Sequence, residues 1–121
     1  MARRKMVAVD FDGTIADYSK RQQGLGELLP GAREFLQKLH DDGWVIIIWT
    51  GRNENGLIAK YLDANKVPYD YINENPNGLS GSPKIYADVY LDDRGVTFTG
   101  SWEKAYNDIQ KFQGWDGRKL N

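Results

Sequence analysis

Cysteine is absent from the 121 residues of this chain. Its absence excludes disulfide bonds, thiolate metal sites and cysteine nucleophiles together. A chain without cysteine is compatible with the reducing cytosol, and we expect a cytoplasmic protein. Any catalytic site must therefore be built from side chains that carry oxygen or nitrogen.

Long apolar runs are missing as well. The longest run, residues 44–49, is only six residues long, whereas a membrane-spanning helix needs about 20. The basic residues Arg3, Arg4 and Lys5 resemble the start of a secretion signal, but the apolar stretch after them ends before Asp10. That stretch is far too short for a signal peptide. We therefore expect no membrane span and no membrane partner.

The chain has no marked excess of charge of either sign. It contains 16 lysines and arginines against 17 aspartates and glutamates, a formal net charge of -1. Without a strong overall field, binding to nucleic acid through bulk charge is not expected. Apolar residues make up 40% of the sequence, which is enough for one core. The length predicts a single domain over residues 1–121.

Short apolar runs alternate with segments of helical periodicity. The runs predict strands at residues 6–10, 44–49, 67–72 and 87–91. The periodic segments predict helices that begin at Pro30, at residue 54 and after Ser101. Residues 17–29 show no clear period and predict a surface flap, and residues 114–121 form a polar tail. This alternation predicts a Rossmann-like, doubly wound α/β domain with a mostly parallel sheet and helices on both faces.

Polar side chains of similar chemistry lie close to the ends of the predicted strands. They are Asp10 and Asp12, then Thr50, then Lys84, and finally Asp92 and Asp93. The carboxyl ends of strands in a doubly wound sheet meet at one edge, where ligands bind. Carboxylates brought together repel one another unless a hard cation neutralises them, and oxygen ligands select Mg²⁺. Because such Mg²⁺ sites also take a substrate phosphate, the pattern predicts a phosphorylated ligand.

The order of these residues resembles the motifs of the haloacid dehalogenase (HAD) superfamily. The matching segments extend over most of the chain and are Asp10-Phe11-Asp12-Gly13-Thr14, Thr50-Gly51-Arg52, Lys84 and Leu91-Asp92-Asp93. Taken singly, the later segments are weak signals, since each is also an ordinary turn or a solvated lysine. Their order in the chain is what gives the resemblance its weight.

The resemblance implies a role for each of these residues. Asp10 would be the nucleophile, Asp12 the general acid/base and Thr50 a phosphate anchor. Lys84 would bridge the nucleophile and the phosphoryl group. The Mg²⁺ ligands would be Asp10, Asp12, Asp92 and Asp93. Contacts to the phosphate or to the rest of the substrate are expected from Gly13, Thr14, Gly51 and Arg52.

The activity that the resemblance implies is hydrolysis of a phosphate monoester through an aspartyl phosphate on Asp10. Asp12 would protonate the leaving oxygen and then activate the water that cleaves the intermediate. Family members that keep a long-lived aspartyl phosphate, such as the P-type ATPases, have threonine at this second position, and the dehalogenases also lack the second aspartate. The predicted elements leave no room for a cap domain. A capless site would act on larger substrates or borrow a neighbouring subunit as a lid, so a homo-oligomer is an open option.

Other functions stay open at the level of sequence. A phosphotransferase or a pyrophosphatase would use the same residues, and a non-catalytic phosphate-binding domain would share the fold. Response-regulator receivers combine an acidic pair with a threonine and a lysine, but their acceptor aspartate follows a later strand, which disfavours a signalling phosphoacceptor. The substrate, whether a small molecule or a macromolecular phosphate end, is not indicated.

Several further residues have both a structural and a functional interpretation. Arg52 could contact the substrate or lie beside Glu54 at a helix start. His40, the only histidine, is expected on the surface near a helix end. Tyr18, Trp102 and Trp115 could line a substrate surface, although aromatic side chains at helical spacing usually pack, which we predict for Trp102. In the flap, Lys20 and Arg21 could face an anion.

Overall fold

Four parallel strands and three helices form the part of the chain that a computed structural model describes, residues 4–18, 24–76 and 83–117. The strands are β1 (Met6–Val9), β2 (Val45–Ile48), β3 (Tyr71–Ile72) and β4 (Val89–Leu91). The helices are α1 (Ala32–Asp41), α2 (Asn55–Ala64) and α3 (Trp102–Gln110). The strands form one sheet in the order β3-β2-β1-β4. The predicted parallel α/β fold is confirmed, with no cap domain in the described ranges.

Strand β1 is buried along its whole length because it lies inside the sheet and both faces are covered. Successive side chains of a strand point to opposite faces. Val7 and Val9 therefore point to the face where α1 and α2 pack. The core on this face also contains the buried residues Leu36 from α1 and Ile58 and Leu62 from α2.

The two faces of the sheet are covered differently. The chain moves from β1 to β2 to β3 in one direction, and right-handed crossovers then place α1 and α2 on the same face. The opposite face carries Met6, Ala8 and Ile47, which pack with Ile85 from the segment before β4. Within the described ranges, no helix contributes to this second cluster. Helices α1 and α2 thus both cover the first face.

The order of the strands reverses between β1 and β4. After β3 the chain returns to the far side of β1, where Val7, Ala8 and Val9 pair with Val89, Tyr90 and Leu91. At such a switch point the loops after the two strands diverge, and a crevice opens at the carboxyl edge of the sheet. In this chain those two loops begin with Asp10 and Asp92.

Several sequence predictions differ from the structure in extent or in burial, and the last strand, for example, begins only at Val89. The predicted third strand, residues 67–72, is reduced to β3, because Pro68 has no N–H to donate to a ladder. Helix α3 begins as predicted, with Ser101 Oγ accepting a hydrogen bond from the Lys104 N–H. The predicted packing of Trp102 was wrong. Its side chain is 79% exposed, and its ring lies 4.6 Å from that of Phe98.

The base of the predicted flap is held by a short backbone ladder. Asp17 N–H donates to Glu27 O at 2.7 Å, and Leu29 N–H donates to Ile15 O at 2.8 Å. Gly26 approaches Asp17 so closely that a Cβ there would lie 1.9 Å from the Asp17 carbonyl oxygen. Residues 19–23, with Lys20 and Arg21, lie outside the described residues.

Three remaining predictions concern His40, a membrane span and the polar tail. His40 is exposed in the last turn of α1, as predicted. In the ranges that the structure covers, no helix has the length and apolarity needed to cross a membrane. Of the predicted polar tail, residues 118–121 lie outside the described part.

Candidate active site

Three aspartate side chains meet at the switch point. The Asp10 N–H continues the ladder of β1 by donating to Leu91 O at 2.9 Å, which sets Asp10 beside the loop that follows β4. One carboxylate oxygen from each of Asp10, Asp92 and Asp93 lies within 4.8 Å of the other two. The structure thus brings together three of the four carboxylates that the sequence predicted as metal ligands.

The crowding of the three carboxylates contributes to a raised pKa of Asp10. Burial raises the pKa of Asp10 from 3.8 to about 8, assisted by a hydrogen bond with Asp93 and by the negative charges of Asp92 and Asp93. A carboxylate with so high a pKa is held in surroundings that disfavour its charge. A divalent cation that prefers oxygen ligands would relieve this repulsion, so the donor set and its electrostatics fit Mg²⁺.

The backbone of Gly13 makes room for Asp93. Gly13 has φ of 84°, in the left-handed region that favours glycine. A Cβ at this position would lie 2.2 Å from Asp93 Oδ2. The Asp93 carboxylate can therefore rest against the loop of the first motif only because residue 13 has no side chain.

The Asp12 carboxylate is held by Arg52 and is not part of the three-aspartate group. Arg52 Nε donates to Asp12 Oδ2 at 2.6 Å, and its Nη2 donates to Oδ1 at 3.0 Å. This two-pronged pair is about four-fifths buried on both sides. The hydrogen bond with Asp12 raises the pKa of Arg52 further above its ordinary value. Arg52 thus contacts a residue of the predicted site, where the sequence left its role open.

The turn that follows β2 is braced by Asn73, a residue that sequence reasoning missed. Asn73 Oδ1 accepts a hydrogen bond from the Thr50 N–H at 2.9 Å, and Asn73 Nδ2 donates to Arg52 O at 3.0 Å. The Thr50 hydroxyl accepts from the Arg52 N–H at 3.1 Å, so its own proton can be donated elsewhere. The missed signal was an asparagine directly after a strand, since asparagine tolerates the positive φ of 55° found here.

The remaining predicted residues lie around this edge with different surroundings. Thr14 Oγ1 is buried and has no hydrogen-bond partner among the residues that the structure describes. Gly51 is exposed, and a Cβ there would meet no atom within 4 Å. Lys84 Nζ lies 5.8 Å from the ring centroid of Tyr90 on β4. The roles of these three residues stay predictions.

Trp115 joins the site from the segment that the sequence analysis treated as a polar tail. Its indole Nε1 donates a hydrogen bond to Gly13 O at 2.8 Å, across 102 positions of sequence. Together with Phe35 and Leu91, it lines an open cavity of about 540 Å³ whose wall also includes Asp92 and Asp93. No periodicity marks Trp115, because the predicted helix ends before it.

Comparison with known proteins supports the fold and names no activity. No protein-family model matches the chain, and no curated protein matches it. A solved structure from Bacteroides thetaiotaomicron, described as a conserved protein, is similar at 28% identity and a TM-score of 0.65, covering 95% of this chain and 97% of that one. A crystal structure from Vibrio cholerae matches at 25% identity over 88% of this chain and 98% of that chain, with a TM-score of 0.47. The first similarity shows that this arrangement of strands and helices, over nearly its full length, occurs in another protein.

Proposed function

We propose that this protein is a Mg²⁺-dependent phosphomonoester hydrolase that acts through an aspartyl phosphate on Asp10. The observation that carries the proposal is the meeting of Asp10, Asp92 and Asp93 at the switch point of a parallel sheet, with oxygens within 4.8 Å of one another. Three converging carboxylates at a ligand-binding edge favour a site for a cation and a phosphate. The order of the motifs, which resembles that of the HAD superfamily, supports the same reaction class.

Asp10 is the residue best placed to be the nucleophile. Its side chain is partly buried at the end of the central strand, and it belongs to the three-aspartate group. In the first step, an Asp10 oxygen forms a bond to phosphorus while the bond between phosphorus and the leaving oxygen breaks. In the second step, water attacks the phosphorus, releases inorganic phosphate and regenerates the Asp10 carboxylate. Mg²⁺, when bound by this group, supplies charge neutralisation for the carboxylates and for the phosphoryl oxygens.

Asp12 is the proposed general acid and base, and Arg52 controls when it acts. The two-pronged contact with Arg52 fixes the orientation of the Asp12 side chain, two residues from the nucleophile. Phosphate oxygens match the guanidinium fork as well as a carboxylate does, so an incoming phosphate competes for Arg52. An Asp12 side chain released from this contact can turn toward the leaving oxygen, donate a proton to it and later accept a proton from water.

Thr50 is a proposed donor to a phosphoryl oxygen. Its hydroxyl oxygen already accepts from the Arg52 N–H, which orients the hydroxyl proton away from the backbone turn. Asn73 fixes that turn from β3. A donor held by two neighbouring strand ends needs little rearrangement when charge develops on the phosphoryl group.

The test is release of inorganic phosphate from a panel of phosphate monoesters, measured with Mg²⁺ and with a chelator. Asp10→Asn removes the nucleophile with little change in shape. Asp42→Asn makes the same change in charge at the end of α1, before β2 begins and thus at the opposite edge of the sheet. We expect metal-dependent release that Asp10→Asn abolishes and Asp42→Asn preserves. Release that persists in Asp10→Asn, or no release from any monoester, would overturn the proposal.

A further inference from the structure

The cavity next to the three-aspartate group has a mainly apolar lining. The apolar side chains are those of Leu29, Pro30, Ala32, Phe35, Leu91 and Trp115. Its volume of about 540 Å³ lies within the range of about 300 to 1,000 Å³ that small-molecule pockets have. A space of this kind accommodates a small organic group rather than a hydrated ion.

The charges around the cavity restrict what can occupy it. Among the described residues that line the cavity, the ionisable ones are Asp92 and Asp93. These described residues include no lysine or arginine. A second phosphate or a carboxylate inside the cavity would lose its water without a lysine or arginine of the described lining to pair with it, and Mg²⁺ at the three aspartates would already be engaged by the first phosphate. An uncharged group is therefore the favoured occupant.

The two aromatic walls favour a flat occupant. Trp115 is 65% exposed and Phe35 is 47% exposed, so much of each ring is available for contact. The hydrogen bond from Trp115 Nε1 to Gly13 O holds one edge of the indole against the loop that carries Asp10 and Asp12. An exposed ring whose orientation is fixed in this way is suited to stacking on another ring.

We infer that the cavity binds the alcohol part of the substrate, and that the preferred substrates are phosphate monoesters of uncharged aromatic alcohols. This inference rests on the proposed function, because it assumes that the phosphate lies at the three-aspartate group. The cavity and that group share Asp92 and Asp93, so an ester with its phosphate at the carboxylates extends its next atoms toward Trp115 and Phe35. Sugar phosphates with a second phosphate are disfavoured because the described lining of the cavity offers no lysine or arginine to pair with it.

The test compares benzyl phosphate with ethyl phosphate, since both have simple alkoxide leaving groups and differ in the ring. We expect a lower KM for benzyl phosphate. Trp115→Ala and Phe35→Ala should each reduce the ratio of the two kcat/KM values by about tenfold, which corresponds to about 1.4 kcal/mol. Trp115→Phe keeps a flat ring but loses the Nε1 donor, and it should retain most of this preference. Trp102→Ala, a matched loss of an exposed tryptophan outside the cavity, should leave the ratio unchanged.

A binding experiment separates failure of this inference from failure of the proposed function. Calorimetry with benzylphosphonate and ethylphosphonate, in the presence of Mg²⁺, measures how tightly each compound binds without requiring any reaction. Tighter binding of benzylphosphonate that Trp115→Ala weakens supports the inference, even if no monoester is hydrolysed. Phosphate release with equal kcat/KM for both esters, and equal binding of both phosphonates, would overturn the inference and leave the hydrolase intact. If Trp115→Ala does not fold, Phe35→Ala and the comparison of the two phosphonates in the unaltered protein decide whether the cavity binds the aromatic ring.

Discussion

Replacement of Asp93 by asparagine should stabilise the metal-free protein while it removes the response to Mg²⁺. The side chain keeps its shape, so the change is almost purely one of charge. In the folded protein, Asp93 lies within 4.8 Å of both Asp10 and Asp92. At about pH 8.5, above the pKa of Asp10, all three groups repel one another.

The size of the effect follows from these separations. At this distance, each pair of negative charges raises the energy of the folded state by about 1 kcal/mol with the dielectric of water and by about 3.5 kcal/mol at an effective value of 20. Asp92 is exposed, so the lower value applies to its pair with Asp93, and we take the same value as a lower bound for the part-buried pair of Asp10 and Asp93. Removal of two pairs gives about 2 kcal/mol of added unfolding free energy, or about 8 °C in Tm for a chain of this length.

The assay is thermal unfolding of Asp93→Asn and of the unaltered protein, in chelator and in millimolar Mg²⁺. We expect the variant to be more stable in chelator, and the unaltered protein to gain more from Mg²⁺. Asp42→Asn, with the same loss of charge away from the site, should show neither effect. An Asp93→Asn variant that is less stable in chelator, or that gains as much from Mg²⁺, would refute the reasoning.

Three further predictions concern stability and the first motif. In chelator, the raised pKa of Asp10 means that the folded protein holds a proton that the unfolded chain has lost. The unfolding free energy should therefore fall as pH rises from about 4 to about 8. Urea unfolding at several pH values measures this free energy, and a rise over that interval would contradict the prediction. Gly13→Ala should lower the unfolding free energy by about 1 to 3 kcal/mol and weaken Mg²⁺ binding, because the new Cβ meets Asp93 Oδ2 at a positive φ. Thermal unfolding and metal titration test this prediction. Gly31→Ala is the control for backbone strain alone, because Gly31 also has a positive φ but a Cβ there would meet no atom within 4 Å. Arg52→Lys should reduce kcat/KM for phosphate esters by about tenfold or more, since lysine cannot reproduce the two-pronged contact; unchanged kinetics would exclude Arg52 from the site.

The main features of the fold could be predicted from local patterns. Buried strands stand out as short apolar runs because both faces of the sheet are covered, as at residues 45–48. The start of α3 could be predicted because Ser101 is a favourable N-cap residue. The placement of α1 and α2 on one face could not be predicted in this way. It depends on the order of strands in the sheet, which local periodicity does not encode.

The candidate site likewise combines features that could be predicted from the sequence with features that could not. Asp10, Asp92 and Asp93 could be predicted to meet because parallel strands bring their carboxyl ends to one edge. The pairing of Asp12 with Arg52 depends on side-chain geometry across 40 positions of sequence, and two interpretations of Arg52 stayed open. Trp115 was named as a residue that could line a substrate surface, but its contact with Gly13 could not be predicted, because that contact follows from the path of the chain after α3. Trp102 shows the converse error, since helical spacing favours packing only where another element covers that face.

The most direct measurement of the central claim is the site of covalent phosphorylation. The protein would be mixed with benzyl phosphate and Mg²⁺, quenched in acid, digested and analysed by mass spectrometry. Asp12→Asn, tested with 4-nitrophenyl phosphate because its leaving group needs no protonation, should increase the signal, since loss of the general base then slows only the breakdown of the intermediate. The account predicts one phosphoryl group on the Asp10 carboxylate, absent in chelator and in Asp10→Asn. Steady release of phosphate with no phosphoryl group on Asp10, in the unaltered protein and in Asp12→Asn, would contradict it.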